Sequence, residues 1–211
     1  TTNEHTASLP DDEIDVPDWA KGAVYYQIFA ERFRNGNELN DPRSSTETLI
    51  PWNADWYTVS AEEEAAWRDR YDVEPHESFP EITGGPLFHV VWDRRYGGDL
   101  QGVVEKLDYL KDLGITAIYF NPVFEAQSMH KYDATDFRHI EDNFGTPAEA
   151  GRTPEEWSHT GGELDDPADW KWTAADRYFL DVLLPEAKKR GIRIVLDGVW
   201  NHTGRWFWAF E

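Results

Sequence analysis

The sequence predicts an α/β fold with a parallel sheet. Three short runs rich in β-branched and aromatic residues, AVYYQIF (23–29), ITAIYFNPVF (115–124) and GIRIVL (191–196), are each followed by polar residues. Buried strands that deliver side chains to a site end in this way. Between the runs lie two segments with apolar residues at helical spacing. Strand, loop, helix, strand, loop, helix, strand is a right-handed parallel crossover series.

The first run is a buried strand whose end carries Glu31, Arg32 and Phe33 before the loop RNGNELNDP (34–42). That loop holds three asparagines and an aspartate, more oxygen donors than a turn needs. Residues 43–96 read as a long, irregular, Trp-rich insertion with one clear element, a short helix in SAEEEAAWRDRY (60–71). Ser60 and Glu63 match a capping box there, and Glu62, Glu63 and Glu64 suit the positive end of the helix.

In GGDLQGVVEKLDYLKDLG (97–114), Leu100, Val103, Val104, Leu107, Leu110 and Leu113 share one helical face, and Gly114 fits the stop. The second strand follows at once, closed by Asn121 and Pro122. A loop is then expected through EAQSMHKYDATDFRHI (125–140) to a Gly/Pro/Glu-rich stretch at 145–169. The second helix, in residues 172–191, opens at Thr173 with Asp176 in capping-box register and presents Trp172, Ala175, Phe179, Val182 and Leu183. Basic residues and Gly191 end it, and Pro185 should kink or divide it. The third strand ends at Asp197, with Asn201 and His202 a few residues on.

A closed barrel of this kind needs eight strands over about 250 residues. The chain is therefore either the N-terminal portion, about three strands, of a TIM (β/α)8 barrel or a small open sheet. The aromatic run WFWAFE (206–211) has nowhere evident to be buried, so the barrel is expected to be truncated soon after its third strand. Residues 1–16 are polar and proline-punctuated and read as a flexible tail, His5 included; residues 17–211 are the partial barrel with the insertion 43–96.

Composition narrows the function. With 211 residues, 40% hydrophobic and 15% aromatic, the chain is not disordered. Forty-one acidic against 20 basic residues give a formal charge of −21, which repels phosphate backbones and anionic membranes. Nucleic acid and membrane are not expected partners. The acidity reads either as a solvated surface or as adaptation to high salt, where screening tolerates self-repulsion. Cysteine is absent, so no disulfide or thiolate metal site exists and the compartment is not set. An extracellular or periplasmic location, in a high-salt setting, is the expectation carried forward. No stretch approaches the roughly 20 apolar residues of a membrane span.

Four stretches have to be explained together: NGNELNDP (35–42), YGGDLQG (96–102), HKYDATDF (130–137) and DGVWNH (197–202). In this order and on these elements they resemble the N-terminal part of the α-amylase superfamily of glycoside hydrolases, most of all the neopullulanase, cyclomaltodextrinase and maltogenic amylase branch. The resemblance covers residues 17–210, with 43–96 and 145–169 matching poorly, and DGVWNH fits that family's DxVxNH region. It implies a retaining α-glucan hydrolase acting on α-1,4 bonds of starch, maltooligosaccharides or cyclodextrins. His202 would hydrogen-bond the sugar, Asp197 support the site from its strand end, Tyr132 form an aromatic platform and Asp133 hold the polar network. Sugars have apolar ring faces and hydroxyl edges, so a stacking aromatic beside fixed donors and acceptors suits them. A neutral histidine both gives and takes a hydrogen bond.

The resemblance also implies Ca2+ on Asn35, Asn37, Asn40, Asp41, the Gly97 carbonyl and Asp99, and a second calcium on Asn201. Hard oxygen donors suit that ion, and asparagine where several relatives carry aspartate weakens its binding. In the family the catalytic Asp, Glu and Asp follow the fourth, fifth and seventh strands, none of which is in this chain. By itself the chain is expected to be inactive, with the remainder of the polypeptide as its partner.

Plainer readings stand beside these. Asp197 also reads as a strand cap or an arginine partner, His202 as a structural histidine, Tyr132 as a packed aromatic and the asparagine loop as turns. His89, His130 and His139 read as structural or surface residues. Trp52, Trp56 and Trp92 read as packing, with sugar stacking as the alternative. Two other classes of function remain: a non-catalytic amylase-like module that binds carbohydrate or docks a partner, and an unrelated parallel α/β protein such as a phosphate-binding barrel. Against the latter stand the acidity and the lack of a glycine-rich phosphate loop beyond GGDLQG (97–102).

Overall fold

The structure is a computed structural model that describes residues 16–42, 48–74, 85–91, 93–145 and 172–210. His5 and almost all of the expected tail, Trp92, and most of the stretch 145–169 lie outside these residues. Along the chain, β1 (Tyr25–Ile28) is followed by β2 (Thr48–Leu49), α1 (Ala61–Arg70), α2 (Gly85–Val91) and β3 (Arg94–Arg95). Helices α3 (Leu100–Glu105) and α4 (Leu107–Asp112) lead to β4 (Ala117–Phe120), β5 (Phe124–Ala126) and β6 (Ala134–Ile140). Next come α5 (Ala174–Tyr178), a π-helical turn (Phe179–Leu183), α6 (Leu184–Lys189) and β7 (Arg193–Leu196).

The expected strands form one parallel sheet in the order β1, β4, β7, with Tyr25 opposite Ala117 and Ala117 opposite Arg193. Strand β4 is flanked on both sides, and Ala117, Ile118 and Phe120 are buried. Strands β1 and β7 have one neighbour each among the described residues, and Tyr25 is half-exposed where full burial was expected. A parallel strand is covered only when neighbours and crossover helices flank it.

One core joins the sheet to both helical segments: Ile28, Ile118 and Phe120 meet Leu100, Val103, Leu107 and Leu110, with Ala175, Phe179, Leu183 and Ala187 from the second segment. Each large apolar side chain contributes about 1.5–3 kcal/mol by leaving water. Leu113, predicted on this face, is exposed because α4 ends before it and Gly114, at φ +87°, turns the chain away. Both predicted capping boxes form: the Ser60 hydroxyl accepts from the Glu63 N–H (3.1 Å), and that of Thr173 from the Asp176 N–H (3.1 Å). Pro185 divides its segment as expected. Lacking an N–H, it cannot bond the carbonyl of Asp181, and the preceding turn widens into the π form.

The expected loop at 125–140 is instead an antiparallel ribbon of β5 and β6, irregular at Glu125. It reads as loop because it is so polar. Its buried polar groups are paired: the His139 ring lies 2.7 Å from Asp176, 37 positions on, and Asp136 accepts from the Arg138 guanidinium two residues away (2.7 and 3.1 Å). The insertion is likewise more ordered than its sequence suggests. Arg94 and Arg95 of β3 are buried, Arg94 on Glu63 (2.6 Å) and Arg95 on the Gln127 carbonyl (2.6 Å) and near Glu31 (3.8 Å).

Candidate functional site

The carboxyl ends of the three sheet strands carry one hydrogen-bond chain. Backbone bonds set its frame, Asn121 N–H to the Ile28 carbonyl (2.9 Å) and Asp197 N–H to the Phe120 carbonyl (3.1 Å). On that frame Gln27 Nε2 donates to Asn121 Oδ1 (2.9 Å), Asn121 Nδ2 approaches the Tyr132 hydroxyl (3.4 Å), and that hydroxyl donates to Asp197 Oδ2 (2.9 Å). Burial and then the bond to Asp197 push the Tyr132 phenol up to about 12, so it stays protonated and donates. Burial, followed by Asp197, also raises the Tyr119 phenol.

Tyr132 and Asp133 sit in a loop stapled to itself. Asp133 accepts from both the hydroxyl and the N–H of Ser128, and the Lys131 N–H donates to the same hydroxyl (3.2 Å). The Tyr132 N–H points at His130 Nδ1 (3.1 Å). A backbone N–H only donates, so Nδ1 accepts and the imidazole is neutral with its proton on Nε2. Burial, the largest influence, lowers the His130 pKa in the same sense. Lys131 holds φ +60° in this loop, and its ammonium is buried on Glu141 (2.6 Å). Gly204 crosses the loop by donating to the Ala134 carbonyl (2.8 Å); a Cβ there would lie 2.2 Å from the Asp133 carbonyl oxygen.

Of the predicted sugar-site residues, Tyr132 and Asp197 come into contact, and Asp133 lies in the same loop. His202 is exposed and faces Asn201, whose Nδ2 is 3.2 Å from its Nδ1. Asn201 is exposed as well. Sequence reasoning left out Gln27, Ser128 and Glu141. Of these only Gln27, a polar residue within an apolar run, left a local trace.

The asparagine loop gathers oxygens. Asn35 Nδ2 donates to Asp41 Oδ1 (2.7 Å) and Asn40 Nδ2 to the Gly145 carbonyl (2.6 Å). Both amide oxygens, Asn35 Oδ1 and Asn40 Oδ1, are buried without a donor. Gly97, at φ +71°, closes on the same group, since a Cβ there would lie 2.1 Å from Asp41 Oδ1. Burial raises the Asp41 carboxyl to about 6, opposed by the bond from Asn35 and reinforced by Glu38 and Asp99. Orphaned acceptors beside a destabilised carboxylate fit a hard cation, because each costs about 1–3 kcal/mol without a partner. Asp99 accepts from the N–H groups of Gly36, Asn37 and Gly102, capping α3. Asn37 accepts from the Leu39 N–H (3.1 Å), which is turn chemistry. Among the described residues no group of three or more His, Cys, Asp or Glu side chains is placed to hold a metal. This cradle is mixed, built largely of amide and carbonyl oxygens.

A family profile described as "Alpha amylase, catalytic domain" matches residues 27–161, more than half of the chain. An amylopullulanase of Thermoanaerobacterium thermosulfurigenes is 36% identical over 92% of this chain and 8% of its own length. Neopullulanase 2 of Thermoactinomyces vulgaris is 35% identical over 93% of this chain and 22% of its own length. In structure, the cyclic alpha-maltosyl-(1→6)-maltose hydrolase of Arthrobacter globiformis, in complex with maltose, aligns at TM-score 0.54 and 32% identity, over 92% of this chain and 29% of that one. The chain thus spans under a third of each of these relatives.

Proposed function

The chain belongs to the α-amylase catalytic-domain family, and on that premise we propose that it builds the opening strands of a retaining α-glucan hydrolase acting on α-1,4 bonds. The carrying observation is the chain Gln27, Asn121, Tyr132, Asp197 across the carboxyl ends of β1, β4 and β7. That is where barrel enzymes place their sites. Tyr132 offers a ring for a sugar to lie on, and Asp197 fixes it through the hydroxyl. His202 contributes a hydrogen bond to a sugar hydroxyl. Retention needs two carboxyl groups about 5–5.5 Å apart, one attacking the anomeric carbon and one protonating the leaving oxygen. We assign both to strands outside this chain, which binds and orients the ring.

The test is made in the full-length encoded protein. Maltotriose or a cyclodextrin should be cleaved with the α configuration kept, as read by NMR of the first product. His202→Ala should lower kcat/KM about tenfold, the worth of one positioned hydrogen bond. Unchanged kinetics would remove His202 from the site, and inversion at the anomeric carbon would reject the retaining assignment.

We also infer that Ca2+ is held by Asn35, Asn40, Asp41, Asp99 and the Gly97 carbonyl. The ion would supply positive charge that pins the loop, and would take no part in bond cleavage. Saturating calcium in place of a chelator should stabilise the fold by about 2–3 kcal/mol at a hundredfold excess over Kd. Calorimetry should show a raised Tm, and Asp41→Asn should abolish most of that rise. A Tm indifferent to calcium in the unmodified protein would refute the site.

A further inference from the structure

The insertion between β1 and α3 frames a cleft of about 440 Å3 lined by Arg32, Trp56, Tyr57, Phe88, Val91 and Tyr96. Its lining is mostly aromatic with one guanidinium. The Trp56 and Tyr96 rings pack with centroids 4.1 Å apart, and the Arg32 guanidinium stands 5.6 Å from the Tyr96 ring. Phe88 is half-exposed, and Tyr57 is 84% exposed. Arg32 Nη2 donates to the Val91 carbonyl (2.7 Å), but Arg32 Nε is buried with no acceptor.

The wall is held in place before anything binds. Buried Arg94 donates to the Trp56 carbonyl (3.0 Å), the Thr58 carbonyl (2.6 Å) and both oxygens of Glu63 (2.6 and 2.9 Å). A wall so clamped loses little freedom on binding. The cleft adjoins the carboxyl end of the sheet: Arg32 lies in the turn just beyond β1, and its Nη2 touches the Met129 sulfur (3.7 Å) in the loop that bears Tyr132.

Three ligand chemistries compete for such a cleft. An anion is opposed by the overall charge of −21. A purely apolar ligand would strip water from the part-exposed Arg32 guanidinium and the Tyr57 hydroxyl and offer neither a hydrogen-bond partner. A glucose ring has an apolar face for the aromatics and oxygens for the guanidinium. We propose that this cleft is an accessory subsite for a longer α-glucan chain, separate from the Tyr132 and Asp197 site. This rests on the α-glucan reading above and extends it to chain length.

The test uses the full-length protein and the double variant Tyr57→Ala/Phe88→Ala, two exposed side chains. Thio-linked maltoheptaose and thio-linked maltose, which the enzyme cannot cleave, are titrated by calorimetry. The Kd for maltoheptaose should rise about tenfold, the worth of two lost ring contacts, with maltose binding unchanged. Unchanged maltoheptaose affinity overturns the proposal, and so does equal weakening of both sugars, which would place these residues in the main site. A protein that cleaves no α-glucan yet loses maltoheptaose affinity in the double variant would overturn the hydrolase reading and uphold the cleft.

Discussion

Lys131→Met should destabilise the full-length protein by about 3–5 kcal/mol, the cost of stranding one charge of a buried pair. Lys131 and Glu141 are each 0% exposed and meet at 2.6 Å. The ammonium also sits 5.0 Å from the Phe144 ring centroid. Glu141 accepts further bonds from Asn143 Nδ2 (3.0 Å) and the Ala126 N–H (3.3 Å). Burial acts to raise its carboxyl, but Lys131 and then Arg95 outweigh burial and hold it below the ordinary range. Methionine keeps most of the volume and removes the charge, so packing loss is small and the electrostatic loss dominates. Urea unfolding checks this, and a change below about 1 kcal/mol would show that Arg95 alone suffices. The sign with pH follows from the depressed carboxyl. Its contribution is complete above the unfolded carboxyl's range and is lost as pH falls through the lower folded value. Acid should therefore narrow the gap between the two proteins. Lys131→Met/Glu141→Leu, which removes both charges, should recover much of the loss.

Asp197→Ala should lower kcat/KM on maltotriose by about 10²–10³ in the full-length protein, the scale of losing a preorganised polar group at a reacting centre. Asp197 is the acceptor on which the Tyr132 hydroxyl is set (2.9 Å). Its removal frees both the ring and the approach of Asn121. Tyr132→Phe keeps the ring and deletes only the hydroxyl, so its loss should be smaller, about tenfold. Steady-state kinetics of the two variants separate platform from orientation. An Asp197→Ala enzyme within threefold of the unmodified protein would mean that the strand end only terminates the sheet.

The features legible in the sequence are local. Ser60 with Glu63, and Thr173 with Asp176, are three residues apart, and both boxes form. Pro185 breaks its own segment because the missing N–H is a property of that residue alone. Residues 125–140 read as loop because Thr135, Asp136 and His139 look like solvent-facing residues until Asp176 and the packing around them are in place. In the insertion, Arg94 looks like a surface charge, and only Glu63 and two backbone carbonyls explain its burial.

The order of the three sheet strands and the two helical segments between them, two helix caps and the oxygen-rich loop after the first strand were written in the sequence by itself. Periodicity, capping and turn chemistry act over three or four neighbours. Tertiary structure alone decided which polar groups meet. Lys131 and Glu141 are 10 positions apart, Arg94 and Glu63 are 31, and Tyr132 and Asp197 are 65. A charge or hydroxyl carries no local mark of a partner that far away, and burial, which makes the pairing obligatory, exists only once the sheet and its ribbon have closed over it.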